Sequence, residues 1–494
     1  MILSNNNHLE AREYLKKAID ISVDFKLQEN VHETPTTKIY AKDILKTLPL
    51  EGKEINQVLE EFKELLLNSS TNFSSTNFMG FPDSGNSVAA MVGAIFSELI
   101  QQNLINQSFC GPTATFAEIA VIQWLREVVG YKTNDSVTDV WDAGGMITTG
   151  GTSSNTIAMM LARENHVKGT FNKGVSCPEN FKIIIPKGIG HYSINRSQRW
   201  IGLGNNTIEI ETENFKTNLN ELKKTLRMNK GRVMTVVCCA GDSYTMTIDN
   251  FKGIYETVKE FDENIWLHAD ACHGFSLGFS DKLREKINYI NLFDSISTDP
   301  HKVLFTPYVV SALLVRDPQT LKSISSQSEL ILNDDFAFGQ ITPFFGSRNW
   351  SSLKLWFLIK NLGKAEIGNL IEKRYAMANF LWELLKTDKD FIVFNNVEIN
   401  SVMFMYKGDL ECSIDNIAVL NSLSKKVYNT IMEEGKYYLH QFPINDDNNI
   451  IDKNSIIYPL RYMGGNPNVT KDDIISMIGY IKEIAKKMLE KSYT

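Results

Sequence analysis

No apolar run in this chain reaches the roughly 18 residues that a membrane helix needs. No two cysteines are spaced C-x-x-C, so the six thiols, at positions 110, 177, 238, 239, 272 and 412, suggest neither a zinc knuckle nor a disulfide framework. The opening residues, MILSNNNHLEAR, lack the basic stretch and apolar core of a secretory signal. These absences point to a reduced, cytoplasmic setting with no membrane partner. An excess of positive charge is missing as well. With 51 Lys and Arg against 58 Asp and Glu, the net charge is −7. The basic residues are also scattered, which argues against a nucleic-acid partner. There is no internal repeat, and the one low-complexity stretch is the polar SSTNFSSTNF at residues 69–78.

What is present is ordinary globular composition, 43% hydrophobic and 22% charged over 494 residues, enough for two or three domains. The first part reads as helical, with Pro35 breaking the pattern and EINQVLEEFKELLL as an amphipathic helix. Apolar, β-rich runs then alternate with helical stretches: FKIIIP (181–186), VMTVVCCAG (233–241), IWLHAD (265–270) and YVVSALLV (308–315). Such alternation predicts an α/β domain with a largely parallel sheet. Further on, a helix (EKRYAMANFLWELLK) leads into strand-like FIVFNN, SVMFMYKG and YYLHQFPI. The expected divisions are a helical N-terminal segment (1–80), a large α/β domain (81–368) and a small C-terminal α+β domain (369–494).

Four segments carry candidate chemistry. STDPHKVLFTP (297–307) sets Lys302 between Asp-Pro-His and an apolar run. Burying an ammonium ion is costly unless it is paired or neutral. Either Lys302 reaches the surface, or it serves as a neutral amine whose pKa burial lowers. GGTSSN (150–155) opens a helical pattern, where the Thr152 and Ser153 hydroxyls and free N–H groups can hold a phosphate; the plainer reading is a Ser/Thr N-cap. WLHADACHGF (266–275) ends a strand in Asp270, where ligands of open α/β sheets gather; the plainer reading is an acid capping a turn. His268, Asp270 and His273 also spell H-x-D-x-x-H, a possible metal set for a hydrolase, although no metal is expected. His191, in GIGHYSINRS (188–197), follows another strand. Brought into one pocket, these parts are what a pyridoxal phosphate site requires.

The sequence resembles the group II pyridoxal-phosphate-dependent decarboxylases, the family of glutamate, aromatic-amino-acid and histidine decarboxylases. GFPDSGNSV, PTATFAEIAVIQWLREVVGY, TTGGTSSNTIAMMLAR, GIGHYSINRS, IWLHADACHG, DSISTDPHK and SSLKLWFL occur in the family's order along nearly the whole chain. The resemblance implies a fold-type I large domain with a mainly parallel seven-stranded sheet. It also implies a homodimer with active sites at the interface, the N-terminal helices wrapping around the partner. Lys302 then falls on the Schiff-base lysine, Asp270 on the partner of the pyridinium nitrogen, and His191 on the histidine stacked on the ring. Thr152 and Ser153 match the phosphate-binding pair, His301 the histidine beside the lysine, and Ser243 a hydroxyl near the cofactor. The implied reaction converts an L-α-amino acid to its amine and CO₂.

One departure from the family bears on the product. Many members carry a tyrosine on a loop after the lysine that returns a proton to Cα. Here the corresponding loop, NDDFAFGQITPFF (333–345), has Phe336 and Phe338 instead, and no tyrosine lies between Tyr308 and Tyr375. In plant and insect relatives, phenylalanine at that position accompanies oxygen-dependent aldehyde formation. That leaves two readings: either His191 or Lys302 supplies the proton, or the product is an aldehyde. For the substrate, NLINQSF (103–109) aligns with a family segment that lines the side-chain pocket of the neighbouring subunit, and Asn106 there, with Arg348 in GSRNW, suggests a small polar or acidic side chain.

Overall fold

The structure is a computed structural model that describes residues 2–32, 44–134, 136–326, 328–329, 335–453 and 455–492. The expected break at Pro35 and the loop residues Asn333 and Asp334 lie outside these residues. Near the N-terminus run helices α1 (His8–Lys26) and α2 (Ile55–Leu65), the latter on the amphipathic segment read above. Helices α3 (Val88–Ile100) and α4 (Ala114–Val128) lead into the large domain.

Seven strands form its sheet: β1 (Gly145–Thr148), β2 (Lys182–Pro186), β3 (Thr207–Ile210), β4 (Val233–Cys239), β5 (Trp266–Asp270), β6 (Ser295–Thr298) and β7 (Ser311–Val315). Their spatial order is β1-β7-β6-β5-β4-β2-β3. Pairing is parallel from β3 across to β6, while β7 runs antiparallel to both β6 and β1. Every strand but β7 therefore ends on the same edge. The strands β4, β5, β6 and β7 are buried along their whole length, as expected for a sheet covered on both faces. That is why VMTVVCC reads as an unbroken apolar run instead of an alternating one.

A long helix, α5 (Gly151–His166), follows β1 and lies against the sheet with eleven of its residues buried. It packs on α6 (Tyr192–Trp200), which follows β2. A four-residue helix, α7 (Pro300–Val303), joins β6 to β7. Helix α8 (Ser352–Thr387) covers the expected boundary at 368 and is broken at Gly363, whose φ of 68° interrupts the helical backbone. Beyond it, β8 (Phe391–Val393), β9 (Ser401–Tyr406), β10 (His440–Gln441) and β11 (Leu460–Met463) form a smaller sheet in the order β8-β9-β11-β10. Helices α9 (Ile417–Glu434) and α10 (Lys471–Ser492) pack on it.

Candidate active site

Five loops leave the common edge of the sheet and meet there. After β1 come Thr149, Gly150, Gly151 and Thr152; after β2, His191; after β4, Ser243. Asp270 ends β5, and α7 after β6 carries His301 and Lys302. All of these line one cavity of about 280 Å³. Convergence at the carboxyl ends of parallel strands is the usual position for a ligand in an α/β sheet.

The glycines set the shape of the first loop. Gly150 has a φ of +125°, a conformation that favours glycine. A Cβ on Gly151 would lie 2.8 Å from both Asp299 Oδ2 and Cys272 Sγ, so only glycine lets this backbone approach so closely. Thr152 lines the cavity in the first turn of α5, where helix N–H groups lack intrahelical acceptors. Ser153 stands outside the cavity lining; its hydroxyl pairs with Thr149 Oγ1 at 3.2 Å.

Asp270 is fixed by two donors: Asn155 Nδ2 to Oδ2 at 2.9 Å and the Cys272 amide to Oδ1 at 3.3 Å. Burial alone would raise its pKa. His191, the Cys272 hydrogen bond, Lys302 and the Asn155 amide outweigh that effect and hold the carboxyl below its ordinary value. His191 is the N-cap of α6, its Nδ1 2.7 Å from Ser193 Oγ. Burial lowers its pKa against the pull of Asp270, so the ring is neutral near pH 7. Ser243 lines the cavity and gives its carbonyl to Arg461. His301 Nδ1 meets the Val310 carbonyl at 2.8 Å.

Lys302 overturns one expectation. Burial does act to lower its pKa, but Asp299 Oδ2 lies 2.8 Å from Nζ, and Asp299, Cys272 and Asp270 together raise the pKa above its ordinary value. Lys302 is therefore a paired ammonium in this pocket, not a neutral amine. The Asp299 carboxyl is correspondingly held well below its usual range: burial opposes this, and Lys302 and His301 prevail.

The H-x-D-x-x-H pattern is not a ligand set. Both ring nitrogens of His268 are engaged, Nδ1 with Ser295 Oγ at 2.8 Å and Nε2 with Asn155 Oδ1 at 3.0 Å, and burial pushes its pKa down to about 4. His273 Nδ1 turns instead to the Gly241 carbonyl at 3.0 Å. What this pattern builds is a buried relay, His268–Asn155–Asp270. Asn155 also donates to Ser193 at 2.7 Å, so it ties β5 to the helix bearing His191. Asn155→Leu is expected to leave three buried polar groups short of a partner. It should lower stability by about 1–3 kcal/mol, read as a lower denaturant midpoint. An unchanged midpoint would show that the relay is not structural.

Arg348, Asn106 and Phe336 do not line this chain's own cavity, and Asn106 is expected in the pocket of the neighbouring subunit. Arg348 is partly buried, its side chain ion-paired with the buried Glu118 and its guanidinium 4.7 Å from the Phe338 ring centroid. Asn106 is buried and accepts from the Cys110 amide at 3.2 Å. Phe336 packs edge-on against Phe116 at 5.1 Å. Sequence reasoning missed other residues. Asp299, Asn155 and Asp83 stand inside the motifs DPHK, TSSN and GFPDSGNSV without having been given a role. Tyr308 lines the cavity and hydrogen-bonds Asp83. Arg461 donates to the Gly80 carbonyl at 2.7 Å as well as to Ser243.

The donor set suits pyridoxal phosphate: a strand-end carboxylate kept ionised, a lysine whose side chain is 22% exposed toward the cavity, and a glycine cradle at a helix N-terminus. The comparisons agree. The family model described as the pyridoxal-dependent decarboxylase conserved domain matches residues 39–407. The aromatic-L-amino-acid decarboxylase of Bacillus atrophaeus is 24% identical over 505 aligned residues, covering 98% of each chain. The phenylacetaldehyde synthase of Petunia hybrida is 23% identical, covering 85% of this chain and 82% of its own. Among solved structures, Oryza sativa TDC with PLP and tryptamine superposes with a TM-score of 0.86 at 20% identity, covering 99% of each chain. This chain belongs to the pyridoxal-dependent decarboxylases. It is a carboxy-lyase that acts on an amino acid with pyridoxal phosphate as cofactor.

Proposed function

We propose that the chain converts an L-α-amino acid to its amine and CO₂, with Lys302, Asp270 and His191 as its principal catalytic groups. The observation that carries this assignment is that Lys302, Asp270 and the Gly150–Thr152 cradle, from three separate strand ends, line one cavity. When bound, pyridoxal phosphate supplies an electron sink for the pair left when the Cα–carboxylate bond breaks. Lys302 would hold its aldehyde carbon, Asp270 a proton on its ring nitrogen, and Thr152 and His301 its phosphate, with Ser243 near the ring. His191, uncharged and fixed by Ser193, would stack on the ring and face the substrate carboxylate.

A second cavity of about 600 Å³ opens from the first and shares His191, Ser243, Lys302 and Tyr308 with it. Its further walls include Phe73, Phe81, Tyr244 and Phe442, with Asp83 and Arg461. The expectation of a small polar or acidic substrate rests on Asn106 and Arg348, and Glu118 neutralises the latter. The aromatic walls favour an L-amino acid with a bulky apolar side chain. Incubation with each common L-amino acid in turn is expected to release CO₂ and amine in equal amounts. Hydrogen peroxide and ammonia produced in step with CO₂ would identify an aldehyde synthase instead. The amine reading is favoured by the Lys302 ammonium, an acid placed in the pocket that can protonate Cα without a loop tyrosine.

The active form is a homodimer in this reading. Helix α1 has no buried residue within its own chain, and Leu9, Leu15, Ile19 and Val23 are exposed along it. A 19-residue helix ordinarily owes its stability to packing of an apolar face, and a second subunit would supply that packing. The setting is the cytoplasm, consistent with six free thiols. Among the described residues, no helix is long and apolar enough to cross a membrane.

A further inference from the structure

We propose that Asp299 governs capture of the cofactor: it holds the Lys302 ammonium in the cofactor-free pocket and receives its proton when the amine condenses with the aldehyde. This rests on the assignment of Lys302 as the cofactor lysine. The geometry is that of a fixed clamp. Asp299 is 1% exposed. Its Oδ2 meets Lys302 Nζ at 2.8 Å, and its Oδ1 accepts from Ser311 Oγ at 2.5 Å. Ser311 starts β7 and Asp299 directly follows β6, so two strands hold the carboxylate in place. The pair is also one helical turn, since the Lys302 amide donates to the Asp299 carbonyl at 2.9 Å.

Only the free base can form the C–N bond. In the condensation, the Nζ lone pair attacks the aldehyde carbon. The carbonyl oxygen departs as water with two of the three ammonium protons. The third passes to Asp299 Oδ2 and from there to solvent. Once the lysine is no longer a cation, a buried carboxylate beside it has lost its partner, which favours its taking up the proton.

Other charges face Lys302. Asp270, Asp242 and Asp83 are the remaining carboxylates of the two cavities, and Asp270 adds to the pull that keeps the lysine charged. Arg461 is the other cation of the larger cavity, and His191, His273, His301, His440, Cys239, Cys272, Tyr192, Tyr244 and Tyr308 are the other titratable groups on the two walls. Asp270 is engaged by Asn155 and Cys272, and Asp83 by Tyr308. Asp242 is held by Thr245 and Thr247, and Asp299 alone among the four carboxylates is at ion-pair distance from Nζ.

The test mixes cofactor-free protein with pyridoxal phosphate and follows the growth of yellow absorbance between about pH 6 and 9. The wild-type capture rate should climb steeply with pH, approaching tenfold per unit while the ammonium predominates. Asp299→Asn should capture about tenfold or more faster at neutral pH, on a flatter profile, and Asp299→Glu should restore the steep one. Ser311→Ala, which frees one oxygen of the clamp, should lie between and provides the test should Asp299→Asn not fold. Borohydride reduction and peptide mapping then locate the cofactor. A label on Lys302 with profiles that superimpose on wild type overturns the role of Asp299 and leaves the catalytic assignment standing. A label on another lysine overturns both.

Discussion

Asp270→Asn is expected to lower kcat by roughly 10²–10³-fold while the protein still folds and binds cofactor. The substitution keeps the shape of the side chain and leaves an oxygen for the Asn155 amide or the Cys272 N–H. It removes the negative charge that His191, Lys302 and two hydrogen bonds keep ionised in a buried site. Opposite charges at close range shift a pKa by about 1–3 units, so without the carboxylate a ring nitrogen beside residue 270 would lose most of its proton. Steady-state kinetics at saturating cofactor read the effect directly. Turnover near that of wild type would mean that Asp270 is an ordinary strand-end acid.

Lys302→Ala is expected to reduce turnover by about 10³-fold or more, because the covalent anchor is lost. Cofactor should still bind but should wash out on dialysis and resist fixation by borohydride. A second effect follows from Asp299. Removing the lysine leaves a carboxylate of 1% exposure without its counter-ion. Breaking such a pair destabilises by up to about 3 kcal/mol here, below the usual range for fully buried pairs because part of Lys302 faces the cavity. The thermal midpoint of the cofactor-free variant should therefore fall. Adding Asp299→Asn to Lys302→Ala should recover most of the loss without recovering turnover. A midpoint that does not move in either variant would show that the pair contributes nothing to the resting fold.

Much of this arrangement is legible in sequence. The long apolar runs mark β2, β4, β5 and β7, because strands buried on both faces leave a continuous hydrophobic signature. His191 and Asp270 stand at the ends of such runs, β2 and β5, so their meeting at one sheet edge follows from the parallel pairing. The strands β1, β3 and β6 are less legible. Each has four residues, and Ser295, Ser297 and Thr298 make β6 read as a loop although it is wholly buried. The charge state of Lys302 was not readable from its apolar flank, because its partner is three residues back in a tight helical turn. Arg348 likewise looks like a free cation until Glu118, 230 residues earlier in the chain, is brought against it. Pairings across such distances leave no local pattern.

The hairpin from β6 to β7 leaves twelve residues, Asp299–Val310, between two strands paired in fixed antiparallel register, from Ser295 opposite Val315 to Thr298 opposite Ala312. Both ends are clamped by ladder bonds in the interior of the sheet, and the lysine sits on the short turn that starts the crossing. Adding or deleting one residue near its start would rotate that turn by about 100° and point the amine away from the cradle. Homologous proteins should thus exchange side chains along this stretch more readily than they change its length. Anyone inserting a tag, a loop or a cleavage site should choose another place.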